Sequence, residues 1–360
     1  MSHKTLLTKT IAVTVLGAAL TDLFVSVALG RFHYSPSGNK LQTYFSYGVS
    51  TVRKLGVHTG LESGKPHNIA QAGWNNQLPE RINEKRDCSV PITFYGMSFS
   101  NRVSNELAKR ESCFHVRQIG GPGSPLSHSY FMATKHARND DSEYAVLGIL
   151  ASALPKNTTM AHFNSAFEFP GAHMYPRYFI DDSGKLDSTA PPAESLSDLK
   201  QILTDKRSLT EFKDTLSEND YYFNNLVFSY PWLDYSNIAK MLRRSYAQKN
   251  KRKVVNRLFK NGQFTNHQEL RETSIGILKN FVRTVQENGQ TPIILLINDK
   301  GYDHALDELF QGTLEGNNIR YVSSSTYIDG ADLGNFLADG HFTKENDRQL
   351  AVAIEQIILP

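Results

Sequence analysis

The chain has 360 residues, with 39 basic and 36 acidic side chains and a net charge of +3. That near balance gives no basic footprint for a nucleic acid, and the length accommodates one moderate-to-large catalytic domain with attachments. No His-x-His, His-Glu-x-x-His or clustered-cysteine pattern occurs, so neither a metal nor another cofactor is predicted.

In chain order, residues 1–30 come first. Ile11 to Leu29 is dominated by apolar residues, follows Lys4 and Lys9, and precedes Arg31. As a helix it rises about 28 Å, enough to cross a hydrocarbon core. Asp22 costs on the order of 3 kcal/mol within such a span. Four readings stay open: a marginal span, a span paired with a partner membrane helix near Asp22, a signal peptide cut after Ala28-Leu29-Gly30, or a buried soluble helix. An anchor of this kind leaves the remainder on the exported side, in the periplasm or outside the cell.

Residues 31–90 are polar and aromatic and show no sustained helical or alternating period. They read as an irregular lead-in that packs on the catalytic domain through Tyr44, Phe45, Tyr47 and Trp74. Thr93 to Ser152 then reads strand, helix, strand, helix, strand, two right-handed crossovers of a parallel sheet. Met160 to Tyr178 is rich in aromatics and prolines and reads as an irregular loop, and Asp181 to Ser197 as a turn-rich surface segment.

Leu196 to Leu216, Ile238 to Phe259 and the amphipathic Thr273 to Glu287 read as helices, so about 160–290 forms a mostly helical insertion. The basic run Lys249 to Arg257, with Arg243 and Arg244 before it, is a solvated helix face or a contact for anionic glycans or lipid headgroups. Pro292 to Ile297 is an apolar strand, His304 to Leu314 a helix, and Ile319 to Val322 the last strand. Thr343 caps a closing helix that runs to Ile358.

The apolar run Pro91 to Tyr95 stops at Gly96, and the helical pattern of Val103, Leu107 and Ala108 follows, which places Ser98 on a strand-to-helix turn. There, free backbone N–H groups and the positive end of the helix dipole stabilise an oxyanion. A serine nucleophile needs a base, and the base needs an orienting group. His341 and Asp339 supply these roles. Ser100, one helical step further round, has hydrogen bonding within the first turn as its ordinary role.

These blocks resemble the SGNH/GDSL hydrolase superfamily. Its serine sits in a Gly-Asp-Ser block after the first strand and its base in an Asp-x-x-His block before the last helix. Here they read Gly96-Met97-Ser98 and Asp339-Gly340-His341, with Met97 in place of the aspartate and the second block one residue shorter. The resemblance implies a doubly wound α/β fold: a three-layer α/β/α sandwich around a five-stranded parallel sheet, spanning 91–360. It places the oxyanion glycine at Gly120 or Gly121. The family's oxyanion asparagine has no counterpart, because the third strand runs into Ser152 and Pro155, which leaves Ser152 as the candidate.

The strand order 2-1-3-4-5 that this fold requires brings Cys88 and Cys113 to the same end of neighbouring strands. A disulfide fitting an oxidising compartment and a pair of buried free thiols both stay open. Among other histidines, His128 follows the glycine loop, His162 and His173 lie in the aromatic loop, and each has a pocket-lining and a purely structural reading.

The activity implied is hydrolysis or transfer of an ester acyl group through an acyl-serine. Export and the aromatic loop point to an acylated carbohydrate or another small ester. The alternative is a non-catalytic glycan-binding or polysaccharide-assembly protein of the same fold.

Overall fold

The protein is described from a computed structural model that covers residues 3–28, 40–61, 63–110, 113–265 and 268–359. Leu29, which ends the apolar stretch, and the Gly30 and Arg31 that follow it lie outside the described residues. So does the start of the lead-in.

A long helix, α1 (His3–Ala28), opens the chain and is followed by three short ones, α2 (Lys40–Ser46), α3 (Thr51–His58) and α4 (Asn68–Gln71). The lead-in is therefore less irregular than its sequence suggests. Its helices are too short to display a period, and they are held by tertiary packing of Leu55, Ala70 and Trp74 in a shared apolar cluster. Next come β1 (Val90–Gly96), α5 (Ser98–Ala108), β2 (Phe114–Gly120), α6 (Leu126–His136) and β3 (Tyr144–Leu150).

The segment after β3 contains α7 (His162–Ser165), the hairpin β4 (Arg177–Ile180) and β5 (Leu186–Thr189), α8 (Leu196–Thr204), α9 (Lys206–Asn219), α10 (Asn225–Phe228) and α11 (Asn237–Leu258). A two-residue ladder, β6 (Phe259–Lys260) with β7 (Gln263–Phe264), and α12 (Gln268–Glu287) complete it. The single helix expected over Leu196 to Leu216 is split at Asp205, whose carboxylate accepts from the Ser208 N–H and caps α9. β8 (Thr291–Ile297), α13 (Ala305–Gly316), β9 (Arg320–Ser323) and α14 (Lys344–Ile358) end the chain. Thr343 caps α14, its hydroxyl accepting from the Asn346 N–H.

The main sheet has five strands, all parallel, in the order β2-β1-β3-β8-β9. One face is covered by α6, α12 and α13 through residues such as Met132, Phe281 and Phe310, and the other by α5 and α14 through Val103, Leu107, Leu350 and Ile354. This is a three-layer α/β/α sandwich. Apolar residues run unbroken through β3 and β8 because both faces of those strands are buried.

Cys88 and Cys113 form a disulfide with Cα atoms 5.7 Å apart, just before β1 and β2. It closes a loop with a sequence separation of 25 residues, worth about 3.5 kcal/mol in the chain-entropy account.

The aromatic loop differs from its sequence reading. Ala161 and Met174 form an antiparallel bridge across it, and Phe163, Phe167 and Tyr175 are buried, with Phe163 against Phe212 and Phe228. It is a packed core element, and only Phe169 of its named aromatics is exposed.

Candidate active site

Ser98 is the first residue of α5, directly after the C-terminal end of β1. The residue before it, Met97, sits at the helix N-cap and offers no side-chain cap. Its side chain is fully buried in the apolar cluster of Phe94, Phe99 and Val103. An apolar cap leaves the first N–H groups of α5 without a side-chain acceptor.

Ser98 Oγ lies 2.7 Å from His341 Nε2, across 243 residues of sequence. The histidine is carried on a tight turn. Gly340 N–H donates to Leu337 O at 2.9 Å, Leu337 N–H to His341 O at 2.7 Å, and Phe336 bridges Phe342. Gly340 has φ of +88°, a backbone conformation that glycine adopts without strain. That turn is how a block one residue short still presents its histidine.

Asp339 contacts His341 twice. Its Oδ1 accepts from the His341 backbone N–H at 3.2 Å, and its Oδ2 lies 3.1 Å from Nδ1. The second contact is close but off the ring N–H direction, so Nδ1 has no well-directed hydrogen bond. Asp339 is also 65% exposed, against 23% for His341. The backbone bond, more than the ring contact, holds its carboxyl below the usual carboxylate range.

Two neighbours fix the imidazole further. Phe99 stacks on it, with ring centroids 4.5 Å apart and planes 29° apart. Arg102, one turn after Ser98 on α5, donates to Phe342 O at 3.0 Å and to Asp347 Oδ2 at 2.8 Å. It thereby ties the helix that begins at Ser98 to the turn of His341 and to α14. Burial pushes the Asp347 carboxyl up to about 6, against the lowering effect of Arg102.

Ser100 is fully buried, its hydroxyl 3.6 Å from Met97 Sδ. It packs over the strand glycines: a methyl on Gly148 would fall 1.8 Å from Ser100 Oγ. This serine is a spacer between helix and sheet.

The glycine pair is equally constrained. A Cβ on Gly120 would lie 1.8 Å from Gly96 O, so only glycine lets β2 end this close to β1. The Gly120 carbonyl accepts from Asn75 Nδ2 at 2.7 Å. Because a peptide is planar and trans, gripping that carbonyl sets the direction of the Gly121 N–H on its opposite side. Asn75 comes from the lead-in, and its sequence context carries no signal for this role. The backbone N–H of Ser152, the other oxyanion candidate, already donates to Asp299 Oδ1 at 3.0 Å. It is therefore withdrawn from that role.

Behind the glycine loop lie three buried histidines. His173 is 5.0 Å from His128 and 4.8 Å from His162 between ring centroids. His128 Nε2 donates to Gly73 O at 2.7 Å, and His162 Nδ1 accepts from the Gly171 N–H at 2.9 Å. Burial lowers all three, His128 to about 4 and His162 to about 3. Lys156 donates to Gly123 O at 3.2 Å, and burial lowers its ammonium to about 8. Among the described residues, no group of acidic, histidine or cysteine side chains is arranged to hold a metal ion.

No protein-family model matches this chain, and no curated protein does. Among solved structures, it is similar to the crystal structure of a "putative acylhydrolase" from Bacteroides fragilis, at 12% identity and a TM-score of 0.37. The similarity covers 81% of this chain and 94% of that one.

Proposed function

We propose that this chain is a serine-dependent ester hydrolase or O-acyltransferase, with Ser98 as nucleophile, His341 as base and Asp339 as its orienting acid. The observation that carries this reading is the 2.7 Å contact between Ser98 Oγ and His341 Nε2 at the end of a parallel strand. A glycan-binding protein that had lost its activity would have no use for that contact.

In the proposed reaction, His341 Nε2 takes the hydroxyl proton as Ser98 Oγ attacks the ester carbonyl carbon. The oxyanion is stabilised by the Ser98 N–H and by the N–H of Gly120 or Gly121. Collapse breaks the bond to the alcohol, which leaves with the proton held by His341. Water or a sugar hydroxyl then attacks the acyl-serine by the same route reversed, regenerating Ser98. Attachment through α1, which is long and apolar enough to cross a membrane, supports an exported ester as substrate. The aromatic loop no longer does, since Phe163, Phe167 and Tyr175 face inward and only Phe169 is exposed.

Hydrolysis of p-nitrophenyl acetate by the purified full chain tests the reading. Turnover that disappears in Ser98→Ala, with unchanged thermal unfolding, is expected. Equal turnover in that variant overturns it.

A further inference from the structure

The apolar helix α1 does not leave the domain at an arbitrary angle. Asp22 Oδ1 accepts from the backbone N–H of Ile238 at 2.9 Å, and Ser26 Oγ lies 3.1 Å from Asn237 Nδ2. The Asp22 carboxylate thus meets the N-terminal turn of α11, where a helix offers free N–H groups and a positive dipole end. This gives the aspartate a partner within its own chain.

Asp22, Val25 and Ser26 form the half-buried face of α1 at this level, while Leu23, Phe24 and Val27 on its other side are exposed. A membrane-spanning α1 needs those three covered by lipid, so the bilayer boundary reaches the start of α11. At that start the domain carries three of the most exposed large apolar side chains described outside α1, Trp232 at 66%, Tyr235 at 76% and Leu242 at 66%, and Met241 and Tyr246 on α11 are exposed as well. Arg53 lies over the Tyr235 ring, 5.6 Å from its centroid. Further along, α11 has no acidic residue and carries the basic run Lys249–Arg257.

We propose that this face, the turn 231–235 and the first turns of α11, is a second membrane contact that lies in the headgroup region of the bilayer from which α1 emerges. Trp and Tyr with one apolar and one polar end are suited to that depth, and the basic stretch beyond them to anionic headgroups. The contact fixes how the domain sits on the surface, which a single tethering helix leaves free. It rests on α1 being a span.

The test uses the full chain in vesicles of equimolar phosphatidylcholine and phosphatidylglycerol. The protein has two tryptophans, so Trp74→Phe leaves Trp232 as sole emitter; if that variant misfolds, the difference between wild type and Trp232→Phe isolates the same signal. Trp232 emission is expected to be quenched at least about twofold more by lipids brominated near the headgroup than by lipids brominated at the chain ends, and to be shielded from iodide. A nitroxide at Val13→Cys reports the span separately. Trp232 open to iodide and untouched by bromolipids, with Val13 in hydrocarbon, overturns the docking face alone. Val13 in water overturns the span and the docking together.

Discussion

His341 and the trio His128, His162 and His173 occupy the same edge of the sheet yet differ in what their rings can do. His341 sits on a partly exposed turn, with Nε2 on a hydroxyl that can lose a proton and Nδ1 beside a carboxylate. The trio is sealed in: His128 and His162 meet backbone groups, His173 Nε2 lies 3.4 Å from the hydroxyl of the fully buried Ser124, and each imidazole is lowered by burial. Solvent access, more than residue type or a hydroxyl partner, is what the proposed base has and the trio lacks.

The largest effects are expected at Ser98 and His341. Ser98→Ala and His341→Ala should each lower ester turnover by on the order of 10⁴ or more without changing the unfolding transition. Retained turnover in the His341 variant would put the base elsewhere. Asp339→Asn should cost less, about 10- to 100-fold in kcat, because this carboxylate is exposed and off the ring axis, unlike the buried acid whose loss costs about 10⁴. A loss of the full 10⁴ would show that the ring contact tightens when substrate binds. Asn75→Ala releases the Gly120 carbonyl and should lower kcat by about tenfold with KM little changed, as expected of support for an oxyanion donor. A change confined to KM would place Asn75 in substrate binding.

The scaffold side answers to pH. An unfolded histidine titrates near 6.5, whereas His128 and His162 in the fold are lowered to about 4 and about 3. Between those values the unfolded chain takes up protons that the fold does not, so stability present above pH 6.5 is lost as pH falls through this window. His162→Gln, which keeps an acceptor for the Gly171 N–H, should flatten urea-derived stability against pH by up to about 1.4 kcal/mol per pH unit between pH 6 and 4. An unchanged slope would mean that His162 is protonated in the fold. The smallest effect is expected at Ser100→Ala: within about threefold of wild-type turnover, since a buried spacer touches no substrate.

Much of this was legible in the sequence. The runs at Ile92, Tyr144 and Pro292 are apolar because central parallel strands are buried on both faces, whereas the edge strand at Phe114 carries His115, Arg117 and Gln118 and is placed by the short crossovers on either side of it. That Ser98 and His341 meet was legible from their positions relative to predicted element ends. Asn75 was not, because its bond to Gly120 joins a segment without periodicity to a strand end 45 residues away. Phe99 was equally silent: a phenylalanine beside the serine carries no sign that it stacks on a histidine more than 240 residues later. The aromatic loop misled because composition marks a segment as irregular but not which way its rings turn, and a bridge from Ala161 to Met174 turns them inward. Asp22 looked like a liability in a span until α11 supplied the N–H it accepts from.

The central claim is that Ser98 is a nucleophile activated by His341. Its most direct test is reaction of the full chain with a fluorophosphonate, followed by peptide mapping. The account predicts a single covalent adduct on Ser98, formed far more slowly in His341→Ala and absent from Ser100. A well-folded protein that stays unlabelled, or carries its label on another residue, would contradict it.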